Sequence, residues 1–301
     1  MIHMAMNDSK LLELKRPLTI TVANSKGGVG KSTIIRYLSY SLALMGYKTL
    51  VIDEDPQANT TKTMILTRER YHTEDDIFVL DKTLMAGVRD GNLEDLIVNV
   101  MDNLDVIPSH IDFKRFPAFL NKIYGSAEEG DLDYVEIESK KVNIMKDLIA
   151  PFKHNYDFIL IDTPPTISDY TRTATVASDY IIIAFQTQSD SLDGAVDYIE
   201  DQLTELVEVF GAETDVLGIL PNQLSNTGAI DKQVLDDAIG IFGEQNIFNN
   251  IIPFAKRVQS APRTGMRNDL YWDKKLFKDI IDPLTIDFLE RVAIMEGIAG
   301  E

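Results

Sequence analysis

Seven short runs along the chain are continuously apolar and rich in β-branched residues: 18–24 (LTITVAN), 49–53 (TLVID), 104–108 (LDVIP), 157–162 (DFILID), 179–185 (DYIIIAF), 215–221 (DVLGILP) and 250–253 (NIIP). A strand with one wet face alternates apolar and polar positions, so unbroken runs predict strands buried on both faces of a parallel sheet. Between them, a 3.6-residue period predicts helices over 31–46, 92–101, 139–152, 190–210, 228–243 and 274–295. The alternation predicts an α/β fold, a doubly wound and mostly parallel sheet with helices on both faces. The polar stretches 67–80 and 125–133 are too short to divide the chain. One domain over 18–301, ending in a helical segment, is therefore expected behind a short extension over 1–17.

Composition narrows the chemistry. Among 301 residues there is no cysteine, which excludes disulfides, thiolate metal sites and iron–sulfur clusters. No apolar run approaches the roughly 18 residues that span a bilayer, and the first 17 residues lack a secretion signal's apolar core. A cytoplasmic protein is expected. The net charge of −19 argues against a nucleic-acid partner, but the basic residues are segregated. From Lys256 to Lys278 the chain carries Lys256, Arg257, Arg263, Arg267, Lys274, Lys275 and Lys278 against Asp269 and Asp273, leaving about −24 for the remainder. This stretch is a candidate polyanion-binding surface, with a solvated charge run as the plain alternative.

The sharpest signal is NSKGGVGKST at 24–33, set between a strand and a helix. Glycines at 27, 28 and 30 allow left-handed backbone and close approach to an anion, and the following helix presents its first amides to phosphate. Lys31 is then placed for the β- and γ-phosphates and Ser32 for Mg²⁺. The usual pattern begins with glycine, where this chain has Ser25, and it has an extra lysine, Lys26.

With Lys26, the loop KGGVGKST resembles the deviant Walker A box of the ParA/MinD family of ATPases. The resemblance implies that ATP is held by Lys26, Gly27, Gly28, Val29, Gly30, Lys31, Ser32 and Thr33. It also implies that Lys26 reaches a partner's nucleotide in an ATP-sandwich homodimer. VIDEDPQANTT at 51–61 resembles the family's switch I, with Asp55 orienting the attacking water and Asp53 supporting the metal's water shell. FILIDTPP at 158–165 resembles Walker B and switch II, with Asp162 serving Mg²⁺. LPNQLSNTG and IIPFAKRVQSAPRTG resemble the late loops that hold adenine and face DNA, which would place Asn222 and Pro253 near the base. Where partition proteins often carry arginine after the Ile-Pro pair, this chain has Phe254, with Lys256 and Arg257 slightly later.

Within the family, the residues before 18 are too few for a helix-turn-helix domain, and the lack of cysteine excludes a nitrogenase iron protein. The C-terminal stretch is acidic and broken by Pro283, unlike a basic amphipathic membrane helix. Its apolar positions Leu284, Phe288, Leu289, Val292 and Met295 are expected to pack on the body. The resemblance therefore implies a ParA-type partition ATPase. Such a protein dimerises on Mg-ATP, binds double-stranded DNA without sequence preference on the nucleoid, uses no membrane, and is released when a ParB-like protein stimulates hydrolysis. A MinD-like positioning ATPase and a regulatory ATP switch without turnover are the alternatives.

Overall fold

The computed structural model describes residues 10–72, 79–186, 189–222, 229–253 and 256–298. Among the described residues seven strands, β1 (Leu18–Ala23), β2 (Thr49–Asp53), β3 (Val98–Met101), β4 (Leu104–Ile107), β5 (Phe158–Asp162), β6 (Tyr180–Phe185) and β7 (Asp215–Pro221), form one sheet in the order β3-β4-β2-β5-β1-β6-β7. Every neighbouring pair is parallel except the edge hairpin β3–β4. The sheet is thus the doubly wound, mostly parallel one that the apolar runs predict.

Two expectations fail. The run 250–253 makes only an isolated parallel bridge, Asn222 with Ile252. The helix expected over 92–101 is instead a single 3₁₀ turn, Glu94–Leu96, followed by β3. A run that short fits either period, and Asn103, with φ 62°, makes the left-handed turn that sends β3 back as a hairpin.

Two helices shape the functional edge, α1 (Lys31–Leu44) and α2 (Asn59–Tyr71). The pattern did not reveal α2, because its buried face is Thr60, Thr63, Met64 and Thr67, with almost no apolar period. Leu84–Asp90, Phe116–Tyr124, Asp169–Ala177 and Lys256–Thr264 were missed too, none longer than nine residues. The helix expected over 139–152 divides into Tyr134–Val142 and Ile144–Lys153.

Alternate residues of the strands feed three clusters, one of them built on Ile181, Ile183, Phe185 and Ile219 of β6 and β7. Leu18, Ile20, Val22, Val51 and Leu160 pack toward α1 and the helix Asp282–Met295, which contributes Leu284, Phe288, Leu289 and Val292. Met295 does not join them and is 39% exposed. Leu50, Ile52, Ile159 and Ile161 face the opposite layer of helices. Because both faces are covered, the carboxyl edge of the strands is left for a ligand.

The chain after Lys256–Thr264 is seated directly on α2. Met266 N donates to Thr67 Oγ1 at 2.8 Å and Arg70 Nε to Thr264 O at 2.9 Å. Gly265 has φ +71°, and a Cβ there would lie 2.7 Å from Leu66 C and O. Gly265→Ala therefore combines left-handed strain with a backbone clash. It should lower stability by about 2–3 kcal/mol, read from urea unfolding, and a loss below about 0.5 kcal/mol would contradict this seating.

Candidate functional site

The loop after β1 is held by its own carbonyls. Lys31 Nζ donates to Asn24 O at 3.0 Å and to Lys26 O at 3.4 Å. Gln186, just past β6, donates its side-chain amide to Gly28 O, and Asn222, just past β7, donates to Val29 O at 2.7 Å. With its carbonyls turned inward onto these donors, the loop leaves the amide groups after Lys26 for an anion. Gly28 and Gly30 take φ 82° and 92°, as a nest of this kind requires. No side chain caps α1, so its first amides are also unclaimed.

The two lysines have different environments. Lys31 is only 6% exposed, and burial lowers its pKa to about 8, against the pull of Asp162 and Asp55. Lys26 is exposed beside exposed Gly27 and Gly28. Its backbone N–H is fixed by Asn24 Oδ1 at 2.7 Å, while Asn24 Nδ2 donates to Ala184 O and Ser191 O. Ser25 Oγ donates to Gly194 O at 2.9 Å. A Cβ on Gly194 would lie 2.6 Å from Lys26 Cγ, so the lysine's stem runs against the helix Ser189–Asp197.

Opposite the loop stand the carboxylates. Asp53 and Asp162 are level on neighbouring strands β2 and β5, and both are buried. Asp162 accepts from Ser32 Oγ at 3.0 Å and Thr60 Oγ1 at 2.6 Å, tying α1 to α2. Asp53 accepts from the N–H and hydroxyl of Thr61 and from Asp55 N, so both its oxygens are occupied. This suits the supporting place expected of it better than direct ligation. Burial raises both carboxyls, for Asp53 with repulsion from Asp162 added, and their hydrogen bonds partly oppose the rise. Asp55 is 9% exposed, with one oxygen accepting from Gln57 N.

Sequence reasoning missed three members of this site. Arg36 on α1 is 7% exposed and bonds Ser32 O, Thr63 Oγ1 and Thr33 Oγ1, a buried cation behind the carboxylates. Its place one turn after Ser32 was the available signal. Gly194 is the second, visible only in three dimensions. Glu54 is the third: it is fully buried, neither oxygen has a partner among the described residues, and burial followed by Asp53 pushes its pKa well above 4.5. A charged residue directly after the apolar run 49–53 was the signal there.

The expected base and DNA residues are placed as follows. Asn222 and Pro253 are brought together by the bridge through Ile252, but Asn222's amide is spent beneath the loop. Of the basic stretch, Arg257 pairs with buried Asp273, and Arg267 pairs with Asp269 and approaches Asp273 at 3.1 Å. Lys275 pairs with Asp279. Arg263, Lys274 and Lys278 are exposed, with no acidic partner among the described residues. Lys256 opens its helix, and its side chain lies outside the described residues.

A glycine loop between a central strand and an uncapped helix, facing carboxylates from two adjacent strands, defines a P-loop nucleoside-triphosphatase. The chain matches a family described as AAA domain over residues 18–209. It is 30% identical over 257 residues to the sporulation initiation inhibitor protein Soj of Bacillus subtilis, covering 84% of this chain and 90% of that one. It is 28% identical over 263 residues to the chromosome partitioning protein ParA of Caulobacter vibrioides strain NA1000, covering 84% and 86%. The structure of a putative plasmid partition protein from Borrelia burgdorferi bound to AMPPNP superposes with a TM-score of 0.68 at 21% identity, over 92% of this chain and all of that one. The chain belongs to the ParA/Soj family of P-loop partition ATPases.

Glu54 gives the site a measurable liability. A buried carboxyl without partners costs about 1–3 kcal/mol, so Glu54→Met should stabilise the metal-free protein by about that amount at pH 7. Burial favours the protonated form of Glu54 in the native state, whereas the unfolded chain ionises it near 4.5. Wild-type stability should therefore fall as pH rises above that value, and the advantage of Glu54→Met should grow with it. Urea unfolding between pH 5 and 8 checks this, and a destabilised Glu54→Met would show that the carboxyl is satisfied.

Proposed function

We propose that this chain is an ATP-driven partition switch. Mg²⁺ and ATP on residues 24–33 join two copies, the pair holds duplex DNA irrespective of sequence, and hydrolysis stimulated by a ParB-like partner releases it. The carrying observation is the separation of the two loop lysines. Lys31 is folded into its own loop, whereas Lys26 is exposed at the rim with its backbone fixed by Asn24. A cation held at the rim is placed to serve a nucleotide on another copy.

The residues fit Mg-ATP. Inward carbonyls free the loop amides for phosphates, Lys31 supplies the buried counter-charge, and Ser32 with Asp162 offers oxygens to a hard cation. The cation, when bound, neutralises charge developing on the transferred phosphoryl group. Asp55 keeps one oxygen uncommitted to Gln57 and is the group to orient the attacking water, and Thr60 and Thr61 hold switch I against Asp162 and Asp53. Arg263, Lys274 and Lys278, with Lys275, are the cations available to phosphates. Arg257 and Arg267 hold Asp273 and support that surface from beneath. Work on the nucleoid in a cytoplasmic protein follows from this reading. The MinD-like alternative needs a free amphipathic helix, and Asp282–Met295 buries Leu284, Phe288, Leu289 and Val292 in the core.

Lys31→Ala should abolish nucleotide binding. Asp55→Ala should keep nucleotide affinity within about threefold and slow phosphate release by roughly two orders of magnitude, about 2.7 kcal/mol of barrier. Near-normal partner-stimulated turnover in Asp55→Ala would remove it from the catalytic role. Duplex binding across a salt series tests the switch itself. With about three phosphates met per protomer, the log–log slope with ATP should approach −5, and binding should fail with ADP. Equal binding with and without nucleotide would defeat the reading.

A further inference from the structure

Leu270, Tyr271 and Trp272 stand 47%, 70% and 64% exposed where the chain enters its last run of helix. Three consecutive large apolar side chains exposed together make a candidate contact surface. The Tyr271 and Trp272 rings are 5.1 Å apart, edge to face at 81°. Beneath them Asp273 and Leu276 are buried, and Arg257 and Arg267 clamp Asp273, so the segment Tyr271–Leu276 is anchored rather than loose. Lys274 and Lys275 lie one turn beyond Tyr271, and Lys278 about one turn further. All three lysines are exposed.

We propose that Tyr271 and Trp272 form an apolar contact to duplex DNA, flanked by phosphate contacts from Lys274, Lys275 and Lys278. The inference rests on the DNA reading above and adds to it a component that is not electrostatic. Charge selects the occupant, because a basic rim on a protein of net charge −19 is complementary to a polyanion. Geometry assigns the division of labour. Lysines beside a rigid aromatic pair hold phosphates, while the rings cover the sugar and base edges between them. Salt weakens the first contact and leaves the second.

Trp272 is the only tryptophan in the chain, so its emission reports on this position alone. The full-length protein with a slowly hydrolysed ATP analogue is titrated with unrelated 24-base-pair duplexes. Labelled-duplex anisotropy measures binding independently of Trp272. Saturating duplex should quench or shift Trp272 emission. Trp272→Ala should weaken binding about tenfold with an unchanged salt slope, and Trp272→Phe should restore most of it. Lys274→Ala and Lys278→Ala should instead flatten the slope by about 1.8 each, one phosphate contact being lost from each of the two copies. Anisotropy showing binding while Trp272 emission stays fixed, or Trp272→Ala binding within twofold of wild type, would overturn the aromatic contact and leave the DNA reading intact. Absence of any duplex binding would overturn both. Self-association abolished by Trp272→Ala without DNA would assign the patch to a second copy instead, and so overturn the proposal.

Discussion

The carboxylate of Asp162 is the point on which the functional edge depends. It ends the strand β5, is almost wholly buried, and holds one hydroxyl from each of two helices, Ser32 of α1 and Thr60 of α2. Those two bonds fix the starts of α1 and α2 in one frame. A buried carboxylate persists only when its hydrogen bonds and counter-charges offset its desolvation, and here Lys31 and Arg36 supply the charge. Asp53 beside it is held by Thr61 in the same manner. Ser32 and Asp162, already side by side, are the oxygens that would hold a hard cation here.

The same economy governs the loop. Peptide units have two ends, and a loop that offers amides to a ligand must place its carbonyls elsewhere. Lys31, Gln186 and Asn222 take them, drawing on the ends of β6 and β7 as well as α1. The glycine loop is thereby tied to α1 and to the ends of β6 and β7. Lys26 stays outside this network except through its backbone, which leaves its charge at the surface.

Much of this was legible in the sequence. Continuous β-branched runs mark strands buried on both faces, and six of the seven runs are strands of the sheet. The loop, Asp55 and Asp162 come together at one edge, where both carboxylates act on Lys31, and motifs that constrain residue type and spacing together made that grouping legible. What stayed hidden lacked a local signature. The helix α2 packs through threonines, which carry no apolar period, and β3 is too short to distinguish helix from strand. Asn222 looked like a base contact by its place in a late loop, while its amide is bound to Val29 O, a partner 193 residues away. The basic stretch was legible as a charge run, but its division into clamping arginines and exposed lysines depends on Asp273 being buried.

The central claim is that Lys31 serves its own copy's nucleotide and Lys26 another's. Sedimentation velocity of wild type and Lys26→Ala with Mg²⁺ and a slowly hydrolysed ATP analogue, alongside calorimetric titration of the nucleotide, tests it most directly. The account predicts a wild-type dimer, and a Lys26→Ala protein that binds nucleotide with appreciable affinity yet sediments as a monomer. A Lys26→Ala dimer as stable as wild type would contradict it.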